Sequence, residues 1–558
     1  MKILTAVMVC LLTLAAYWPA LHNEFVMDDT SVIGGNQDFL DVQNYSWFFS
    51  ARGYFEISRE ESYRPIVTLT HILDARVWRA QGGHILNLAL HAGIGFMLAD
   101  IGFELGLPAA SVLLGSALFL VHPAYSETVY VITYREDLLC GFFLLVAFRL
   151  LLGGSVWWAQ APYLIALFSK EIAVPLPLAL WVLNRMRPGT FNARQLTTTC
   201  AMASLYIYIR FFVFPSPNMA LAHPTFLHWA PAEMRILLNY ARLIVWPDTL
   251  SIDHRTSLFK TASIPLMILA SAIVLFSAYG LVLAWRRRSL HAFFFGWGPV
   301  MSIPVWNLIS IANGSAERYL YIPMIFPSLG MAHMANVHLL EGGGWRGGSV
   351  ARKGLWVVII LILAALGART HVRGYDYRNY RAILQKEINI NPKCAICAYM
   401  LSLEYENLND MPTARHWAER SLEIDPEFYP AHLQLARSDM AANHLADARK
   451  HLDYVLKTQP IDADVALHVA CYYMKIGDTP SAQAWASNAA LTKSRWPSQL
   501  IYDILRDVRQ QIHTLSKSDT GVLNEPKVAG FPPAPDGLPF PPAPDARATP
   551  DAESSDSP

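Results

Sequence analysis

The chain has 558 residues, 53% of them hydrophobic and only 16% charged, and its mean hydropathy is +0.26. Soluble domains carry about a quarter charged residues, so this is the composition of a membrane protein diluted by a soluble part. Basic and acidic residues balance at 44 each, which gives no support to a nucleic-acid partner, and 6 cysteines in so long a chain do not make a disulfide framework.

Apolar runs near 3–21, 85–105, 108–122, 128–151, 154–168, 171–184, 196–214, 261–284, 291–311, 319–338 and 354–369 give about eleven candidate spans, each needing about 17–25 residues to cross a bilayer. The expected fold over residues 1–370 is therefore an all-α, polytopic helix bundle. With the N-terminus inside, Arg185, Arg187 and Arg194, the run Arg286–Arg288, and Arg346, Arg352 and Lys353 all fall in inside loops, as the excess of cytoplasmic Lys and Arg requires. If the first segment were instead a cleaved signal peptide, the later loops would stay where they are. Eleven spans send everything beyond about residue 371 outward, to the periplasm or its topological equivalent.

Polar clusters interrupt this pattern, and the same alternation puts all of them on the outer face. FVMDD follows the first run, with Asp28 and Asp29 adjacent. SYRPIVTLTHILDA (62–75), HPAYSETVYVITYREDLL (122–139), Ser169-Lys170-Glu171, YARLIVWPDTLSIDH (240–254) and Asn313–Tyr319 follow in order. Each has a plain reading alone. An Asp pair suits a surface turn; Lys170-Glu171 suits a snorkelling pair; His122-Pro123 suits a helix end; Glu317-Arg318 suits a weak local ion pair. Their convergence on one face is harder to dismiss, because charge beside a membrane span is costly and by default functional. Such a mixture suits a lipid-linked phosphosugar, whose tail lies in the bilayer and whose phosphate lies at the interface. Lys or Arg would hold the phosphate, and a carboxylate would take the proton of an attacking hydroxyl. Asp28 and Asp29 also invite a divalent metal, although two carboxylates fall short of a ligand set.

The soluble part, 371–515, carries Pro392, Pro426 and Pro460 at intervals of 34 residues, the tetratricopeptide period. Small residues recur in phase: Ser402, Ala436 and Ala470 at one position, Ala414, Ala448 and Ala482 at another. Tyr405 and Tyr473 match at a third, where Asp439 breaks the series. Three repeats over about 392–494 make a short α-solenoid, either a groove for a protein partner or a rigid platform. Cys394 and Cys397 form a CxxC, with Cys471 in a later repeat, which alone could suggest a redox pair or metal site, but in the first helix of a repeat small apolar residues are expected as packing. From 516 to 558 the chain is rich in Pro and acid, with FPPAPD at 531–536 and again at 540–545. It cannot bury a core and is expected to be disordered.

FVMDD with Ile33 and Asn36, SYRP, HILNLALH (84–91), HPAYSETV, YREDLL, SKE, WPDTLSIDH and AERYLYIP (316–323) together resemble the protein O-mannosyltransferases that join a multispan glycosyltransferase domain of the C structural class to tetratricopeptide repeats. The resemblance covers about 3–338 and the repeats. It implies a catalytic base at Asp28 or Asp29, with Asp28 matching the first acidic position, and a polyprenyl-phosphate-linked sugar as donor. The acceptor would be hydroxyls of an exported protein recruited by the repeats. By chemistry and position Lys170, Arg135 and Arg318 are the leading phosphate ligands and Arg64 and His122 weaker ones, with Glu127, Glu171 and Glu317 positioning the cations. Two departures stand out: Met27 occupies a position where a large aromatic is common, and Tyr134 begins YRED where Gly-Arg is usual. Three repeats, fewer than in eukaryotic relatives, resemble a bacterial member, with the bundle in the inner membrane and the site on the periplasmic side. The alternative is a noncatalytic membrane scaffold that assembles an envelope complex through its repeats. A lipid or glycan transporter would want polar residues through the bundle midplane, where this sequence has few.

Overall fold

The computed structural model of the protein describes residues 2–41, 45–60, 62–215, 226–252, 264–305, 315–340, 349–459, 461 and 463–491. The Pro-rich tail, residues 253–254 of the WPDTLSIDH segment, Asn313 and Arg346 lie outside these residues. Among the described residues the fold is all-helical, in two compact units, Met1–Ile390 and Asn391–Pro558.

Each of the eleven apolar runs lies on a helix in the first unit: Lys2–Tyr17, Arg79–Glu104, Ala109–Val121, Arg135–Leu152, Val156–Leu167, Leu176–Met186, Ala193–Tyr208, Ile264–Arg286, Leu290–Ser302, Ile325–Ala335 and Ser349–Asp376. Four described stretches are individually long and apolar enough to cross a membrane: Lys2–His22, Pro65–Glu104, Ala193–Val213 and Lys353–Asp376. A fifth is a pair, Ala109–Val121 and Pro123–Tyr130, bent by 53° at a break containing His122; Pro123 has no N–H with which to continue the first helix. Of the remaining helices, Val156–Leu167, Leu176–Met186, Leu290–Ser302 and Ile325–Ala335 have 11–13 residues, while Ile264–Arg286 has 23. In Arg135–Leu152 the first turn is Arg135, Glu136 and Asp137.

Apolar side chains face outward where lipid would lie: Ile3, Leu4 and Leu11 on the first helix, Leu275 and Phe276 on Ile264–Arg286, and Val357, Ile360 and Leu361 on Ser349–Asp376 are exposed. Inside, helices meet closely at small residues. A Cβ on Gly115 would stand 2.8 Å from the Leu329 Cα, so helix Ala109–Val121 packs against Ile325–Ala335 only with glycine there. Helix ends meet as the alternation requires. At one end Asp100 pairs with Lys2 (2.9 Å) and Arg149 (2.7 Å), and Arg149 also reaches Glu104 (2.8 Å). At the other, the Tyr130 hydroxyl serves the carbonyls of Ala16 and Thr370, while the Thr370 hydroxyl donates to the Val121 carbonyl.

In the second unit, first helices begin at Ala395, Tyr429 and Ala463 and second helices at Met411, Leu445 and Thr479. Both series advance by the 34 residues of the sequence period. Ser402, Ala436, Ala470, Ala414, Ala448 and Ala482 are all buried, as small residues must be where paired helices approach. Asp439, the break in the third series, is fully buried and ion-paired with Arg415. One expectation is corrected. Cys394 and Cys397 are buried but are joined as a disulfide. Cys394 caps its helix, its Sγ accepting from the Cys397 N–H at 3.2 Å, and that turn brings the sulfurs together.

Candidate functional site

Every candidate residue comes to the same end of the first unit, but the residues do not all face one another. The turn after the first helix separates the two aspartates. Met27 sits in the left-handed region at φ 53°, and the chain then enters a helical turn that leaves Asp28 exposed and Asp29 completely buried.

Asp29 spends its carboxylate on the protein. Oδ1 accepts from the Thr133 N–H (2.7 Å) and hydroxyl (2.8 Å), and Oδ2 from the N–H groups of Ile132 (3.1 Å) and Val26 (3.4 Å). Burial pushes its carboxyl up to about 6 against the pull of these donors. It pins the first outer turn to the loop that delivers Tyr134–Asp137. A divalent ion held jointly by Asp28 and Asp29 does not fit, because both Asp29 oxygens are already aimed at donors. Among the described residues no group of three or more His, Cys, Asp or Glu is arranged to hold a metal.

Asp28 is accessible to water yet ringed by protein. That crowding raises its carboxyl above the ordinary carboxylate range; Arg318 pulls it down, Glu136 pushes it up, and a side-chain hydrogen bond from Tyr134 pulls it down. Arg318 is held by Glu127, whose Oε1 accepts from Nη1 and Oε2 from the Arg318 backbone N–H, each at 3.0 Å. Its guanidinium lies over the Tyr134 ring, 4.0 Å from the centroid, and 5.3 Å from that of Tyr319. The buried Nε of Arg318 has no hydrogen-bond partner among the described residues.

Lys170 approaches Tyr319 too, at 5.8 Å, but its ammonium is clamped by Asp137 (2.6 Å) and Glu136 (2.8 Å). Those carboxylates hold its proton firmly, although burial alone would loosen it. Arg64 bridges Glu136 to Glu171, with Nη2 at 3.0 and 3.1 Å from the two Glu171 oxygens. Burial would raise the Glu171 carboxyl, but Arg64 and its other partners bring it down to about 2. Two cations thus share three carboxylates, so neither Lys170 nor Arg64 has unmatched charge among the described residues.

The SYRP stretch is built to place Arg64. Arg210 donates to the Ser62 hydroxyl (3.2 Å), the Tyr63 ring stacks on Phe214 (3.6 Å), and Pro65 opens the next helix. Three other candidates face away from the cluster. Arg135 is completely buried and donates to Asp74 (2.6 Å), Asn87 (2.8 Å) and the Gly83 carbonyl (3.0 Å). It anchors the start of its helix and cannot reach a phosphate. His122 accepts from the Ala124 N–H through Nδ1 and reaches the Ile244 carbonyl through Nε2 at 3.0 Å, so both ring nitrogens are engaged in the fold. Glu317 accepts from the Ser251 N–H (2.6 Å) and lies 4.0 Å from Arg373. Tyr134, Tyr319 and Thr133 were not marked by residue type; their signal was only adjacency to charged motif residues.

An all-helical, membrane-type bundle with acid and base groups gathered at one end is the class that fold and site define. Against known proteins, no family model matches the chain. Human protein O-mannosyl-transferase TMTC3 is 22% identical over 78% of this chain and 53% of its own length. The Caenorhabditis elegans protein O-mannosyl-transferase F38B6.6 is 23% identical over 75% of this chain and 62% of its own, and human protein O-mannosyl-transferase TMTC4 is 31% identical over 22% of this chain and 20% of its own. The chain thus resembles this family over most of its length, while spanning about half the length of the TMTC3 relatives it matches.

Proposed function

We propose that the protein is a membrane glycosyltransferase that moves a hexose, mannose by resemblance to its relatives, from a polyprenyl-phosphate-sugar to hydroxyls of an exported protein. The observation that carries this reading is an accessible carboxylate, Asp28, at the same end of the bundle as Arg318, whose charge pulls the Asp28 carboxyl down. Arg318 binds one carboxylate, Glu127, and among the described residues its Nε is unpartnered, whereas Arg135, also held by one carboxylate, has all three guanidinium nitrogens engaged. Asp28 takes the proton of the acceptor hydroxyl as that oxygen attacks C1 of the sugar. The C1–O bond to phosphate breaks with inversion, and the departing polyprenyl phosphate keeps the electron pair, its charge met by Arg318. Lys170, already matched by Glu136 and Asp137, serves the site's field from behind Tyr319. Asp29 and Arg135 hold the loops.

The bundle is read as eleven spans, with the 34-residue helix pairs as tetratricopeptide repeats that recruit the acceptor polypeptide. The Cys394–Cys397 disulfide supports placing those repeats in an oxidising compartment, the periplasmic side of a bacterial inner membrane. The deciding experiment measures sugar transfer from polyprenyl-phosphate-mannose to exported host proteins, in membranes normalised for folded protein. Wild-type transfer that collapses in Asp28→Asn supports the reading, and transfer that survives the change sinks the mechanism. No transfer from any of a panel of lipid-linked sugars favours the scaffold, for which damage to the repeat groove should be the lethal change.

A further inference from the structure

The segment YARLIVWPDTLSIDH has no part in the proposed chemistry, yet its described residues close on the turn that carries Arg318. Tyr240, on helix Phe226–Val245, brackets Ala316: its hydroxyl donates to the Ala316 carbonyl at 3.0 Å and accepts from the Ala316 N–H at 3.3 Å. Beyond the helix, Arg242 pairs with Asp248 and donates to the Thr249 carbonyl (3.1 Å), which folds the chain back on itself. The returning segment grips the next residue of the same turn, the Ser251 N–H donating to Glu317 Oε1 at 2.6 Å. Arg318 follows, its own N–H held by Glu127 at 3.0 Å. Ser251 is anchored in its turn by Glu387, on helix Tyr380–Ile390: Oε1 accepts from the Ser251 hydroxyl (2.6 Å) and Oε2 from the Ile252 N–H (3.0 Å). Ala316, Glu317, Ser251 and Glu387 are all buried. A buried polar network whose members find partners is rigid, and a binding group needs its support held to about 0.5 Å.

We infer that Tyr240, Ser251 and Glu387 are positioning residues for the anion-binding cation: by clasping Ala316 and Glu317 from two sides they fix where the Arg318 guanidinium meets the lipid phosphate. This rests on the proposed transferase reading. None of the three touches the sugar or the phosphate; each acts through the backbone that presents Arg318. Glu387 extends the clasp to the last helix of the first unit, a residue that no sequence motif marked.

The test is a mutant cycle read by binding of farnesyl phosphate to the purified full-length protein in detergent. Tyr240→Phe keeps the ring and takes the hydroxyl from Ala316. It should weaken binding by about three- to tenfold, the worth of a hydrogen bond. In protein that already carries Arg318→Gln with Glu127→Gln, the same change should add nothing, because no guanidinium is left to place. Glu387→Gln, which can serve only one of the Ser251 and Ile252 donors through its single carbonyl oxygen, should show the same dependence on Arg318. It keeps the test open if Tyr240→Phe folds poorly. Wild-type binding in both variants would overturn the inference. So would equal weakening with and without Arg318, the result expected if the clasp served only the fold. Either of these outcomes leaves the transferase reading standing. Wild-type protein that neither transfers sugar nor binds farnesyl phosphate defeats that reading, and the inference with it.

Discussion

Arg135 and Arg318 are both arginines at the same end of the bundle, and each is paired with one buried carboxylate. Arg135 has a partner for Nε, Nη1 and Nη2 and no exposed surface. Arg318 shares one carboxylate between its side chain and its backbone, leaves Nε unpartnered, and keeps 8% of its surface open. The same side chain is therefore a rivet in one place and, on the proposed reading, the phosphate-binding cation in the other. The aspartates divide likewise, with Asp29 saturated and Asp28 accessible. Saturation of hydrogen-bonding capacity, rather than residue type, separates scaffold from chemistry here.

The largest effect that would break this comparison is at the base. Asp28→Asn should reduce transfer by about 10²–10⁴-fold at unchanged thermal stability. The acid limb of the wild-type pH profile should lie above the ordinary carboxylate range and disappear in the variant, since only ionised Asp28 accepts the proton. Arg135→Met should act on the fold instead, costing about 3–5 kcal/mol by leaving Asp74 buried and unpaired, read as lost thermal stability in detergent. For Arg318 the informative change is the double Arg318→Gln with Glu127→Gln, which strands no charge. Folded yield should be normal and the KM for the sugar donor raised by about 10–100-fold. Asp29→Asn should lower stability by about 1–3 kcal/mol, since one amide cannot satisfy the donors of Ile132 and Thr133, and its activity should track the folded fraction. The smallest effect belongs to Glu171. Its carboxyl is held at about 2 against an ordinary 4.5, so its contribution to stability is complete above about pH 4.5 and is lost as pH falls toward 2. Glu171→Gln should lower stability near neutrality, and its difference from wild type should shrink as pH falls toward 2, which flattens the curve in that window.

Much of this was legible in the residues. Apolar runs marked where helices lie because burial and lipid exposure both select them, and the proline period matched the helix starts because each repeat packs only against its neighbours. Side-chain direction was not legible. Tyr134, Arg135, Glu136 and Asp137 are consecutive, yet around the start of a helix Tyr134 meets Arg318, Arg135 meets Asp74, Glu136 meets Arg64 and Lys170, and Asp137 meets Lys170. Clustering in sequence promised one ligand set, and helical rotation dispersed it. His122 was misjudged for a related reason: at a 53° break between helices, an imidazole is more useful to unpaired backbone groups than to a ligand. The cysteines were read as apolar filler because nothing in their spacing says that the first of them caps a helix.

The left-handed Met27 carries a further consequence. Its conformation, not its side chain, turns neighbouring carboxylates to opposite fates, one into the protein and one into water. Methionine tolerates that conformation poorly and glycine tolerates it freely, so Met27→Gly should be accepted there. A β-branched residue would oppose it. On the proposed reading, the identity of the base is thus written one residue upstream, in a torsion angle, where a search for reactive groups would not look.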